Sequence, residues 1–440
     1  MRNDAKPMAI PELKAEAIGQ PRPARESNGG FYLVLTAILF EFGRPQDLIP
    51  AIRVIPFASG IDLLLLLSVV MSGKLDLSRL QTKLWIPLFV VMVIHGPIAV
   101  NNYWAFIIFK DMLLYFGMYL GIVTYVNSLE KMLTLMKVWL GILLFLAVMG
   151  TVKGGRGYGG WMGDENDLCM VMNMAVPFAY FLLFSATGVA QKMKYLGFLG
   201  AFILAAMATL SRGGFMGLAA VGAYCWYRSP KKMNALIVLA VAAGFMLVLA
   251  PQTYWDEIAS SISEETMSER GTGGARLYTW GIGMKMFFDN PIIGIGQGNF
   301  PWTFPIYEAG ETFHERSFAG RAAHSAWVTL IAELGLAGIV IVGGMLLQCY
   351  KDLKLVRTTF APVKTRQKHG QTVKAGEDVR AYLARAMEGS LIGFIATGVF
   401  ISILWYPSLW IMMAFVVALR NISETKRGGA SPAAVQTRNL

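Results

Sequence analysis

Apolar stretches close to twenty residues long recur from one end of the chain to the other, and no other feature limits its fold so strongly. A helix rises about 1.5 Å per residue, so roughly 20 apolar residues match the hydrocarbon thickness of a bilayer. Inside that layer every backbone amide must be satisfied within the protein, which helices do locally. Twelve spans are predicted, at 30–48, 54–72, 84–100, 104–126, 132–151, 168–186, 195–210, 214–228, 233–251, 325–349, 386–404 and 407–420. The expected fold class is all-α, a polytopic membrane protein of about twelve transmembrane helices. The first span has the shortest apolar core, FYLVLTAILF, and reaches full length only by including Glu41 and Arg44, which are spaced for an ion pair.

The net charge of +11 would suit a nucleic-acid partner, but its distribution does not. Counted on alternate sides of the twelve spans, 28 Lys and Arg fall in the tails and even-numbered connections, 10 in the odd-numbered ones, and Lys110 inside a helix. That asymmetry predicts both termini in the cytoplasm. The predicted organisation is a disordered cytoplasmic tail over 1–29, nine transmembrane helices over 30–251, an outer loop over 252–324 and a tenth helix over 325–349. A basic cytoplasmic connection over 350–385, two helices over 386–420 and a cytoplasmic tail over 421–440 complete it. The basic connection reads as a topology determinant that touches anionic lipid heads. The N-terminal tail, with Pro7, Pro11, Pro21 and Pro23, lacks the apolar core of a cleavable signal. Cys169, Cys225 and Cys349 show neither a disulfide framework nor metal-ligand spacing.

The outer loop holds 73 residues, enough for helices of its own. Within it Leu277, Trp280, Met284 and Phe287 form one apolar helical stripe, stopped by Asn290-Pro291. The loop carries five Lys or Arg against nine Asp or Glu, so an anionic ligand there must be met by particular arginines. In TLSRGGFMG, Arg212 stands at the start of a helix beside Gly213 and Gly214, where Ser211 can cap and backbone amides lie open. Such a terminus is either a phosphate site or a tight turn with a snorkelling arginine. In GDENDL, capping by Asn166 or Asp167 is favoured over calcium binding, since the spacing does not fit an EF-hand loop.

The glycines of PIIGIGQGNF imitate a dinucleotide loop without the strand that such a loop requires, so a tight turn accounts for them better. In GRAAHSAWVTLIAELG, His324 opens a span, and Arg321 shares its face if the helix begins that early. Glu333 points elsewhere. A neutral imidazole is a general base near neutral pH, and an interfacial histidine held for structure is the plainer alternative. His95 before Gly96-Pro97 and the adjacent Lys110 and Asp111 are further polar groups near outer ends of spans. Lys110 and Asp111 are expected to need separate partners.

The motifs GDENDL, SRGG between two spans, ARLYTW followed by NPIIGIGQGNF, and HSAWVTLIAELGLAG together resemble the O-antigen ligase and polymerase superfamily of bacterial integral-membrane enzymes. Members of that family often read His-Asn where this chain has His324-Ser325, a departure that touches the second residue and not the histidine. The resemblance implies an O-antigen ligase of the inner membrane, moving a polysaccharide from undecaprenyl diphosphate to a hydroxyl of lipid A core oligosaccharide at the periplasmic face. It implies one inverting displacement, with no cofactor and no obligatory metal. His324 would be the base, and Arg212, Arg276 and Arg321 would bind the diphosphate. Lys110, His95 and Asn166 would support them. Partners implied are the lipid-linked donor, the core acceptor and membrane lipid. A polymerase or protein O-oligosaccharyltransferase uses the same chemistry. A lipid-linked sugar flippase would need polar residues through the midplane and symmetry between halves, and neither is visible.

Overall fold

The computed structural model describes residues 28–52, 54–229, 232–237, 240, 244, 252, 255–256, 272–308, 319–361 and 378–428. Every regular element among them is helical. We number the main helices α1 (Gly29–Ile38), α2 (Phe57–Ser72), α3 (Leu80–Ile98), α4 (Asn102–Tyr125), α5 (Leu129–Val152), α6 (Glu165–Ser185), α7 (Val189–Ala208) and α8 (Arg212–Arg228). After these come α9 (Thr272–Asp289), α10 (Phe300–Glu308), α11 (Ala326–Thr359), α12 (Val379–Thr397) and α13 (Pro407–Gly428). Five of them, α3, α4, α5, α6 and α11, are long and apolar enough to cross a membrane. Most of the expected tails and of the expected span at 233–251, and parts of the outer loop and basic connection, lie outside the described residues.

The core has a centre and a rim. Helix α6 is buried without interruption from Asp167 to Leu182, as α12 is from Arg380 to Leu391. A helix apolar on all sides belongs inside a bundle, and α6 packs on α7, α8 and α12. Rim helices such as α2 and α3 instead expose Leu64, Val70, Ile86 and Val93, side chains suited to lipid.

Several expectations shift. Glu41 does not reach Arg44: the chain turns π-helical over Leu39–Gly43, and Arg44 then adopts a left-handed backbone (φ 47°) that directs it to Asp47. Glu41 accepts a hydrogen bond from Trp161 Nε1 at 2.9 Å instead. Lys110 and Asp111 do not need separate partners, because the lysine stem folds back and brings its ammonium to 3.1 Å from the neighbouring carboxylate. The helix after His324 continues to Thr359, ten residues beyond its expected end at 349, and α12 begins seven residues earlier than the expected 386.

Helices α9 and α10 occupy the expected outer loop, but the buried face of α9 is not the expected stripe and lies about 150° round the helix from it. Leu277 is 60% exposed, whereas Thr279, Ile282 and Met286 are buried. The helix has two apolar faces, and the one bearing Gly283 prevails because it lets Val328 and Phe300 approach closely. Ile282 and Met286 thereby form a second core with Phe300, Phe304, Ala323 and Ala332.

Candidate functional site

Three helix N-termini converge at one end of the bundle. Asp164 caps α6, its carboxylate accepting from the Asn166 amide at 2.8 Å. The expected cap is Asn166 or Asp167, but the helix is capped two to three residues earlier, which frees both for other bonds. Asn166 accepts from Ser211 Oγ at 2.7 Å and donates to Asp164 at 2.9 Å, and so ties the start of α6 to the start of α8. Asp167 is buried and hydrogen-bonds Tyr406. Ser211 caps α8 as expected, accepting from Gly214 N at 3.0 Å.

Arg212 is the first residue of α8. Gly213 and Gly214 are buried, so they do not leave open amides for a ligand. They permit close packing: a Cβ on Gly213 would meet Phe400 at 2.5 Å, and one on Gly214 would meet the Cys169 sulfur at 2.1 Å. The double glycine thus seats the helix that carries Arg212.

The third N-terminus is that of α11. Ser325 is the cap, its hydroxyl accepting from Val328 N at 3.3 Å. The helix therefore begins after His324, and Arg321 and His324 are not on one helical face. They are neighbours across a turn, close enough for Arg321 to act on the imidazole. This turn is pinned on both sides. Trp280 Nε1 of α9 donates to the Ala323 carbonyl at 3.0 Å, and Ala326 N donates to the Gly398 carbonyl at the end of α12 at 2.7 Å. His324 itself is exposed and holds a left-handed backbone (φ 50°), a conformation that costs a residue with a Cβ about 1–2 kcal/mol. Leu210, one residue before the other serine cap, does the same (φ 52°). Strain of this kind persists where surrounding contacts impose it, and it gathers at functional sites.

The charges around His324 come from separate elements. Although the residue is exposed, the elements packed around its ring partly desolvate it and lower its pKa from the ordinary histidine value, Arg276 and Arg321 lower it further, and Asp164 opposes them. Arg276, on α9 above the Phe400 ring at 5.9 Å, is itself depressed by burial and by Arg212. The fold thus brings together Arg212, Arg276, Arg321, His324 and Asp164. Guanidiniums gathered in this way are the donors that a multiply charged anion would use. Beside them stands a neutral imidazole able to take a proton.

Residues 197–343 match the family model of O-antigen ligase. The match supports the O-antigen ligase and polymerase superfamily that the motifs resemble, and a multi-pass membrane protein of that superfamily agrees with the five spanning helices. The matched segment holds Arg212, Arg276, Arg321 and His324. No curated protein matches the chain.

The other expected residues stand apart from that cluster or serve it indirectly. Asn166 acts through Asp164 and Ser211, as described. His95 is fully buried on α3, its Nδ1 2.8 Å from Gln297 Oε1. Gln297 also donates to the Met92 and Ala105 carbonyls at 3.1 and 3.0 Å, so His95 belongs to the anchoring of the glycine turn. Lys110 pairs with Asp111. The turn itself has Gly294, Gly296 and Gly298 at positive φ, the conformations expected of a tight glycine turn. Sequence reasoning passed over Asp164 as a neighbour of the histidine and over Glu333 as the turn's anchor. The first Asp of GDEND was a readable cap signal, whereas Glu333 offered none, because its donors, the Gly298 and Phe300 amides and the Trp405 indole, are distant in sequence.

Proposed function

We propose that the chain transfers a glycan from an undecaprenyl-diphosphate carrier to a sugar hydroxyl at the outer face of the bacterial inner membrane, in the manner of an O-antigen ligase. The observation that carries this reading is the meeting of His324 with Asp164 and the arginines of α8, α9 and the preceding turn. His324 takes the proton of the acceptor hydroxyl as its oxygen bonds to the anomeric carbon. The bond from that carbon to the diphosphate breaks, and the leaving oxygen keeps the electron pair. Arg212, Arg276 and Arg321 hold the charge that develops on the diphosphate. Asp164 opposes the arginines' effect on His324 and so favours the imidazolium that results. Attack opposite the leaving group inverts the anomeric centre.

The test is transfer in proteoliposomes with lipid-linked O-antigen and lipid A core as acceptor. His324→Ala should reduce transfer at least about a hundredfold, the scale of general-base catalysis. His324→Gly should lose transfer equally while its unfolding midpoint stays at or above the wild type, since glycine accepts the left-handed backbone without penalty. Wild-type rates in either variant remove His324 from the chemistry. Donor chains lengthened by further repeats, with the core left unmodified, would mark a polymerase.

A further inference from the structure

The end of the bundle away from His324 carries a shallow, partly open cleft between α5, the C-terminal end of α6 and α7. Its place follows from helix direction: α6 and α8 start at the His324 end, so the end of α6 and the starts of α5 and α7 lie at the other. Leu133, Met136, Leu182 and Phe198 form apolar walls, and Lys137 and Lys194 line the same space. Both lysines are exposed. The Lys194 ammonium stands 5.5 and 5.6 Å from the Tyr195 and Phe198 ring centroids, which keeps a positive charge beside the aromatic wall. The chain around it is basic, with Lys131, Lys137, Lys192 and Lys194 against Glu130 alone between 129 and 198 outside the α6 start and its preceding loop.

Lys137 lies roughly 12 Å along α5 from its first residue, and Lys194 roughly 8 Å along α7. Lys137 is set inside an apolar segment and Lys194 just before one, positions from which a lysine can meet lipid phosphate at the boundary. A free anion would use the lysines and leave the apolar walls idle, and a neutral lipid would use the walls and leave the lysines idle. We infer that this cleft binds an anionic glycerophospholipid of the leaflet opposite the candidate site, its phosphate between Lys137 and Lys194 and an acyl chain along Leu133, Met136 and Phe198. The lipid would brace α5 and α7 against the central α6.

Native mass spectrometry and thermal unfolding of the full chain in phosphatidylcholine nanodiscs titrated with phosphatidylglycerol test this. Wild type should retain phosphatidylglycerol and unfold at a higher temperature as it is added. The double variant Lys137→Gln/Lys194→Gln should bind it about thirtyfold more weakly, roughly five- to sixfold for each lysine facing lipid phosphate. Lys192→Gln, which changes an exposed lysine outside the cleft lining, should behave as wild type. Equal retention by the double variant overturns the site. So does equal retention of phosphatidylcholine, and protection by soluble glycerol phosphate would show that acyl chains play no part. None of these outcomes depends on glycan transfer, so the cleft stands or falls separately from the proposed activity.

Discussion

His324 had two readings in the sequence, a general base or an interfacial histidine held for structure. The imidazole is not folded into a packed core: it is exposed, on a left-handed backbone, with cationic neighbours supplied by other elements. Partial desolvation of its ring and the Arg276 and Arg321 charges depress its pKa, so the neutral base persists below the usual histidine midpoint near 6.5. The proposed transfer requires that neutral form. The rate should therefore be full above the depressed pKa and fall as pH drops through it. Arg321→Gln removes a positive charge, which lets the pKa rise and should move the acid limb to higher pH. Asp164→Asn keeps a good helix cap while removing the opposing negative charge, and should move the limb to lower pH. Rate profiles at saturating donor decide the matter, and limbs that stay in place in both variants would show that another group titrates. The type of residue was legible from GRAAHSAWVTLIAELG alone. Asp164 was not, because it lies 160 residues earlier and meets His324 only when α6 and α11 start at the same end.

At the scale of elements, the helical periods were readable and their phases were not. In α9 both faces are apolar, so periodicity could not choose between Leu277 and Ile282, and the choice was made by the approach of Phe300 and Val328. Helix α11 shows a different limit. It breaks at Gly335, which takes φ 59° and ψ −151°, and the glycine turn docks onto the break: Ile295 N and Gly296 N donate to the Ala332 and Glu333 carbonyls at 3.0 Å each. Glu333, 1% exposed, completes the joint. Its carboxylate accepts from Gly298 N at 2.7 Å, Phe300 N at 2.9 Å and Trp405 Nε1 at 2.7 Å. The carboxylate is thereby committed to this joint. Glu333→Ala would strand three donors, so the folded state should lose about 3 kcal/mol. Glu333→Gln keeps one acceptor oxygen and should lose less. Unfolding midpoints in detergent rank the two, and an alanine variant as stable as wild type would mean that water replaces the carboxylate.

Across the whole molecule the two ends are held by different chemistry. At the His324 end, caps and close glycine contacts join helix starts. At the other, buried charge joins helix bodies. Glu388 of α12, 6% exposed, stands 2.9 Å from Arg228 of α8 and 3.2 Å from Arg357 of α11. Asp352 of α11 accepts from Gln81 at 2.8 Å and pairs with Arg420 of α13 at 3.5 Å. The density of Lys and Arg around 350–385 was legible as a marker of one membrane side. That Arg357 is committed to Glu388 was not, because counting charges along a chain does not reveal acids on a neighbouring helix. The distinction has a measurable consequence. An arginine that only faces lipid can be neutralised at little cost, whereas removing Glu388 leaves two guanidiniums poorly compensated in a largely buried setting, a loss of about 3 kcal/mol or more. Glu388→Ala should therefore lower the unfolding midpoint and the yield of folded protein. Since Glu388 lies toward the bundle end remote from His324, transfer per folded molecule should stay within about twofold of wild type, a change of less than ~0.5 kcal/mol in the barrier. A stable variant with lost transfer would reverse that assignment and make the charged end part of the catalytic cycle.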